Sequence, residues 1–153
     1  MMRAFLFLFV LVFSYSMANA QTNNPRYDSV LARRLNSDEF GMKKYTLVIL
    51  KTGPYQEQDA KRRDSLFRGH MANIERLVDE GRLYVAGPFM KNELSYRGLF
   101  ILNTEVLDEA KNWLQPDPTI ALGIFEPIFL VWYGSAALPE YLDAADKIWK
   151  SKP

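Results

Sequence analysis

The chain has 153 residues, with 19 basic and 18 acidic side chains, one histidine and no cysteine. This near balance of charge provides no long-range field that would draw the protein to nucleic acid or to an anionic membrane surface. Without cysteine there is no disulfide and no thiolate chemistry, and one histidine is too few for a typical zinc site, so no metal site is expected.

Residues 1–20 are typical of a cleavable secretory signal peptide. A basic start at Arg3 is followed by an unbroken apolar run over residues 4–13, which is shorter than the roughly 20 residues of a membrane-spanning helix. Small residues at Ala18 and Ala20 then form an A-x-A cleavage site before Gln21. We therefore expect a periplasmic or secreted protein with no stable membrane anchor after cleavage. A retained anchor is the alternative.

The mature chain is predicted to begin with a polar N-terminal extension over residues 21–42. In this extension, Asp28 or Ser29 is expected to cap a short helix at residues 30–35. Residues 44–51 are β-branched and apolar, which predicts the first strand. Residues 59–80 carry apolar side chains at helical spacing, and Gly81 is expected to end that helix.

The second half of the chain contains the remaining elements. Strands are predicted at residues 83–87, 98–102 and 124–133, and a helix opened by Thr104 and Glu105 is bounded by Pro116 and Pro118. The order β-α-β-β-α-β predicts an α+β, ferredoxin-like domain over residues 43–138. An extra amphipathic C-terminal helix is expected over residues 139–153. The face of the sheet away from the helices would be an exposed apolar patch, so a homodimer is predicted to cover it.

Several short motifs follow one another along the predicted elements. They are Gly69-His70-Met71, Glu80-Gly81-Arg82-Leu83, Ala86-Gly87-Pro88-Phe89, Arg97-Gly98, Glu109-Ala110 and Asp117-Pro118. In this order they resemble the YCII-like (YciI-related) family over about residues 45–138. The segment 132–138 resembles an exported branch of that family.

The resemblance implies a dimeric α/β barrel of ferredoxin-like subunits. It also implies a catalytic histidine and aspartate facing a cleft, which correspond to His70 and Asp117, and lyase, dehydrochlorinase or isomerase chemistry. The sequence differs from the family pattern in two places that concern the site. Thr119 stands where many relatives have an aromatic residue, and residues 129–131 lack the second histidine of some exported relatives.

The residues themselves allow more than one interpretation. His70 lies at the edge of an apolar helix stripe and suits proton transfer near neutral pH, but a structural histidine bonded to a backbone carbonyl would fit the same position. Asp117 precedes Pro118 and is well suited to cap a helical turn. The two roles of Asp117 are compatible, because a carboxylate can cap a turn and also orient an imidazole.

Four further residues are predicted to bind the substrate. Gly87 lets the backbone approach a ligand closely, and Pro88, Phe89 and Thr119 are expected to shape the pocket wall. The alternative for the glycine-proline pair is an ordinary turn at the end of a strand.

Other functional classes fit the sequence less well. RNA-recognition domains share the predicted element order, but Leu99 stands where their signature has a stacking aromatic, so no nucleic-acid partner is expected. The chain has no G-x-S-x-G turn and no glycine-rich phosphate loop. Together with the family resemblance, the sequence therefore predicts a cofactor-free enzyme that transfers a proton on a small molecule. The alternatives are a non-catalytic ligand-binding protein and a structural protein that acts through its terminal helix.

Overall fold

The computed structural model describes residues 24–150, so the predicted signal peptide lies outside the described residues. The helices are α1 (Ser29–Arg34), α2 (Ala60–Asp79), α3 (Leu107–Leu114), α4 (Pro118–Ala121) and α5 (Leu142–Ile148). The strands are β1 (Met42–Thr52), β2 (Leu83–Pro88), β3 (Tyr96–Leu102) and β4 (Phe125–Ser135). Within residues 24–150, no helix has both the length and the apolar character needed to cross a membrane.

The four strands form one antiparallel sheet in the order β2-β3-β1-β4. The central strand β1 pairs with β3 on one side and with β4 on the other, so that Val48 lies between Phe100 and Phe129. This order, with α2 and α3 as the connecting helices, is the ferredoxin-like arrangement. The predicted α+β ferredoxin-like fold is confirmed.

One face of the sheet forms the core against α2 and α3. Side chains alternate along a strand, so Thr46, Val48 and Leu50 share this face of β1, and all three are buried. They pack with further buried residues from β2, β3 and the two helices. Those residues are Leu77, Leu83, Phe100, Leu102, Ala110 and Leu114.

The opposite face, which we call the open face, is apolar but only partly covered. It carries Leu47 and Ile49 of β1. Leu47 lies between Ile101 and Leu130 on the neighbouring strands, and Ile49 lies between Leu99 and Ile128. Leu130 is 47% exposed. Homodimerisation therefore stays a prediction, and the open face is the surface that a second copy would cover.

The chain after β4 covers one end of the open face. Tyr45 is buried there, with its ring beside those of Tyr84 and Trp132. The hydroxyl of Tyr141 donates a hydrogen bond to the backbone carbonyl of Tyr84 on the edge strand β2. In the same segment, Glu140 accepts two hydrogen bonds from Arg34, at 2.9 and 3.0 Å, which tie the segment to α1.

Two helices begin or end at residues different from those predicted. Helix α3 starts at Leu107 because the Thr104 hydroxyl accepts a hydrogen bond from the backbone N–H of Val106, which has an extended backbone. The C-terminal helix predicted over residues 139–153 is a 3₁₀ turn (Leu138–Tyr141) followed by α5, and α5 ends where Trp149 becomes extended. Helix α1 is capped by Asp28, one of the two caps predicted.

Candidate active site

His70 lies on the sheet-facing side of α2 and is 8% exposed. Three phenylalanine rings surround its imidazole: Phe100 stacks on it at 5.9 Å between ring centroids, and Phe67 and Phe125 meet it edge-on at 6.3 and 5.4 Å. Its Nδ1 atom is 2.6 Å from Oδ2 of Asp117. The hydrogen-bond partner of His70 is therefore a carboxylate and not the backbone carbonyl of the structural alternative.

Asp117 combines both predicted roles in one buried carboxylate. It is the N-cap of α4, where Oδ1 accepts hydrogen bonds from the backbone N–H of Thr119 at 2.9 Å and from the Thr119 hydroxyl at 2.6 Å. The other oxygen, Oδ2, is left for His70. The capped turn thus aims one lone pair of the carboxylate at the imidazole.

The charge on Asp117 follows from this network. Burial raises the pKa of Asp117, but hydrogen bonds from His70 and Thr119 oppose burial and hold the pKa below its usual value. Asp117 is therefore a carboxylate at neutral pH, and its Oδ2 accepts a hydrogen bond from Nδ1–H of His70. By this hydrogen-bond assignment, a neutral His70 carries its proton on Nδ1 and an unshared electron pair on Nε2.

The approach of α2 to α4 depends on the residue before the histidine. A Cβ atom at Gly69 would lie 2.6 Å from Cγ of Pro118, closer than carbon atoms pack. Only glycine at position 69 lets the two helices come this near. This contact joins the segments that carry His70 and Asp117.

A cleft of about 860 Å³ opens between α2 and the sheet, and His70 forms part of its wall. Its apolar lining includes the three phenylalanines around the imidazole. Polar and charged side chains at the cleft come from the end of β1 and the loop after it, from α2 and from β3. They are Thr52, Tyr55, Gln56, Glu57, Gln58, Arg63 and Arg97.

Two backbone segments at the mouth of the cleft are held together. The N–H of Gly53 donates to the carbonyl of Ile124 at 2.7 Å, and the N–H of Tyr55 donates to the carbonyl of Gly123 at 3.0 Å. A Cβ atom at Gly53 would lie 2.2 Å from the Gly123 carbonyl oxygen, so glycine permits this crossing. The mouth is therefore formed by ordered, hydrogen-bonded backbone.

The predicted binding residues fall in three different places. Gly87 and Pro88 line the cleft on the wall that faces α2. Thr119 is fully buried and contacts both Asp117 and His70, with its hydroxyl 3.2 Å from Nδ1 of His70. It therefore supports the His70–Asp117 pair, which we call the dyad, and does not reach the cleft. Phe89 is outside the lining and 40% exposed, beside the ring of Tyr96.

Sequence reasoning missed several residues of the cleft. Phe67 is one helical turn before His70, so its position was available from spacing alone. Phe100 and Phe125 come from strands whose register the sequence does not reveal. Across residues 24–150, no three His, Cys, Asp or Glu side chains converge as a possible metal site.

A ferredoxin-like fold with a histidine–carboxylate pair at an apolar cleft defines a class of small α+β proteins. The sequence matches the family model of the YCII-related domain over residues 45–131, and the chain belongs to this family. The curated relatives include Protein YciI of Escherichia coli and Protein YciI of Shigella flexneri. Each is 33% identical over 75 residues, which cover 44% of this chain and 76% of the relative.

Among solved structures, the chain is similar to a 5-chloro-2-hydroxyhydroquinone dehydrochlorinase, TftG, from Burkholderia phenoliruptrix, in complex with 2,5-dihydroxybenzoquinone. The two share 20% sequence identity with a TM-score of 0.43. The similarity covers 57% of this chain and 92% of the dehydrochlorinase.

Proposed function

We propose that this protein is a small-molecule enzyme that transfers a proton without a cofactor, with His70 as general base and general acid. The observation that carries the proposal is the 2.6 Å contact between His70 Nδ1 and Asp117 Oδ2, on a ring that also forms part of the cleft wall. This contact uses the Nδ1 atom and leaves Nε2 for a substrate. Export to the periplasm or the exterior is part of the proposal and rests on the N-terminal sequence.

The chemistry begins with a substrate C–H or O–H placed against Nε2. The imidazole takes the proton through Nε2, and the carboxylate of Asp117 stabilises the imidazolium that results. Return of the proton to another atom of the substrate completes an isomerisation, while departure of a leaving group completes an elimination. The phenylalanine rings keep water from the imidazole, which strengthens its interaction with the carboxylate.

A non-catalytic ligand-binding protein is the second candidate. The size of the cleft suits a ligand whether or not it reacts, because about 860 Å³ falls within the range of small-molecule sites of roughly 300–1,000 Å³. The two candidates differ in what His70 does: a binder needs the shape of the ring, and an enzyme needs its basicity.

Replacing His70 with glutamine separates these candidates. The neutral aromatic probe 5-nitrobenzisoxazole loses a C–H proton to a general base, and the product is followed by its absorbance. The wild type is expected to accelerate this reaction. His70→Gln is expected to lower the rate by about 10²–10⁴-fold, which is the usual contribution of a positioned base. His70 is the only histidine in the chain, so no other imidazole contributes a background rate.

The matched control is Asp108→Asn, which removes an exposed carboxylate on α3, outside the cleft, and should leave the rate unchanged. Equal rates for the wild type and His70→Gln would contradict the enzyme proposal. If the probe still bound in the cleft, that result would support the binding candidate.

The proposed enzyme is also expected to be a homodimer joined through the open face. Leu130→Glu places a charge on that face and should convert the dimer to a monomer, because an unpaired charge is costly to bury. The neighbouring Val131→Glu is the control, since Val131 is exposed at the sheet edge and points to the opposite side. Light scattering across micromolar concentrations reads the mass. A wild type that is monomeric throughout would rule the dimer out.

A further inference from the structure

Two arginines line the cleft without a carboxylate partner. Arg97, on β3, donates from Nε to the Thr52 hydroxyl at 2.6 Å. Arg63, on α2, has only a long contact of 3.5 Å from Nη1 to the backbone carbonyl of Glu57. Neither guanidinium forms an ion pair with any residue in the described part of the chain.

The one acidic side chain in the lining is already engaged. The carboxylate of Glu57 accepts hydrogen bonds from the Tyr55 hydroxyl at 2.8 Å and from the Asp59 backbone at 3.0 Å, and it pairs with Arg62 at 3.1 Å. It is therefore not available to neutralise the two arginines. The mouth of the cleft carries two positive charges that an anionic ligand group would balance.

Both arginines precede a residue of the imidazole site on their own element of the fold. Arg63 precedes His70 by seven residues on α2, which is about 10 Å along a helix. Arg97 precedes Phe100 by three residues on β3, also about 10 Å along a strand, and Phe100 stacks on the imidazole. Helix α2 and strand β3 thus each place one arginine of the cleft lining about 10 Å along the backbone from a residue at the imidazole site, His70 or Phe100.

From this arrangement, and resting on the proposed function of the same cleft, we infer that the substrate is a small organic acid with a flat apolar body. Its carboxylate binds Arg63 and Arg97 at the mouth. Its body packs against Phe67 and Phe125, which presents one of its carbons to Nε2 of His70. Guanidinium groups suit this task because their paired N–H donors match a carboxylate.

Binding of matched acids and amides tests the inference without any chemistry. The probes are benzoate, phenylacetate and cinnamate, each compared with its own primary amide, which has the same shape and no charge. Binding is followed by the ring resonances of the single histidine in NMR titrations. In the wild type, at least one acid is expected to bind about tenfold or more tightly than its amide, the factor that charge-assisted hydrogen bonds supply.

The variant Arg63→Gln/Arg97→Gln should bind acid and amide equally. Arg68→Gln, which removes an exposed charge on α2 outside the cleft, should keep the tenfold preference. Thermal melting of all variants checks that they fold. Equal binding of acid and amide by the wild type, a preference that survives the double variant, or no binding of any acid at millimolar concentration overturns the inference.

The two proposals fail in different ways. If the wild type shows no preference for acids over amides but still removes the proton from 5-nitrobenzisoxazole, only the inferred substrate class is wrong. An acid preference in a protein whose His70→Gln variant keeps the wild-type rate would instead leave an organic-acid binder without the proposed catalysis.

Discussion

Replacing Asp117 with alanine is expected to lower the free energy of unfolding by about 3–5 kcal/mol, because three buried donors lose their acceptor at a cost of about 1–3 kcal/mol each. The change leaves His70 Nδ1 without its 2.6 Å partner and removes the acceptor for two hydrogen bonds from Thr119. It also uncaps α4, which alone costs about 1 kcal/mol. Urea unfolding at neutral pH measures the loss.

Asp108→Ala provides the matched control for that measurement. Its carboxylate is 85% exposed and pairs with Lys111 on the surface of α3. The loss of such a surface pair costs less than about 1 kcal/mol. If Asp117→Ala is no more destabilising than this control, the buried network does not hold the fold together.

The pH dependence of the same network follows from the lowered pKa of Asp117. A carboxylate with a depressed pKa in the folded state stabilises the fold above its unfolded pKa of about 3.9, and this contribution is lost as pH falls through the folded value. The stability difference between the wild type and Asp117→Asn should therefore shrink as pH falls below about 4. A stability difference that stays the same down to the pH of acid unfolding would contradict the ionised state assigned to Asp117.

A methyl group at position 69 is expected to disturb the contact between His70 and Asp117, although residue 69 belongs to neither side chain. In an ordinary helix, Gly→Ala stabilises by about 1 kcal/mol. Here the new Cβ meets Pro118 at 2.6 Å, so Gly69→Ala should instead destabilise by about 1–3 kcal/mol, the usual cost of overpacking. Because α2 must then move from α4, the Nδ1–H signal of His70 should lose its strong hydrogen-bond shift in proton NMR.

An alanine-to-glycine substitution elsewhere in α2 gives the effect of helix propensity alone, against which the Gly69→Ala result is compared. Ala72→Gly, at an exposed position of α2, should cost about 1 kcal/mol through helix propensity alone. Pro118→Ala removes the Cγ atom that Gly69→Ala strikes, so the double variant should recover the NMR signal and show a favourable coupling energy. A stabilising Gly69→Ala would show that the close approach is not needed.

Much of the fold was predictable because local signals agreed with one another. The apolar stripe of α2 ends at a glycine with positive φ, and Asp117 with Pro118 marks the start of α4 in the expected way. The predicted terminal helix was wrong in its bounds, because amphipathic spacing continues past Pro139 while the backbone first forms a 3₁₀ turn. Spacing alone does not report which helical form a short segment takes.

The candidate site was predictable only in part. The resemblance to the family supplied His70 and Asp117, and the structure places them in contact. Thr119 was expected in the pocket wall because it stands where many relatives have an aromatic residue, but the capped turn directs it to the carboxylate. Phe100, Phe125 and Arg97 reach the cleft through strand pairing, which depends on contacts between residues far apart in the chain.

The covered end of the open face constrains the symmetry of any dimer formed there. Residues near a two-fold axis must meet the same residues of the second copy. Tyr45 is already enclosed by Tyr84 and Trp132, and the segment around Tyr141 is bonded to β2 at this end, so Tyr45 is not available to meet a second copy. Direct contact between two sheets would then involve the uncovered part of the face, around Leu47 and Ile49. In such a dimer the chain after β4 would act as a steric stop that limits how far the two sheets overlap.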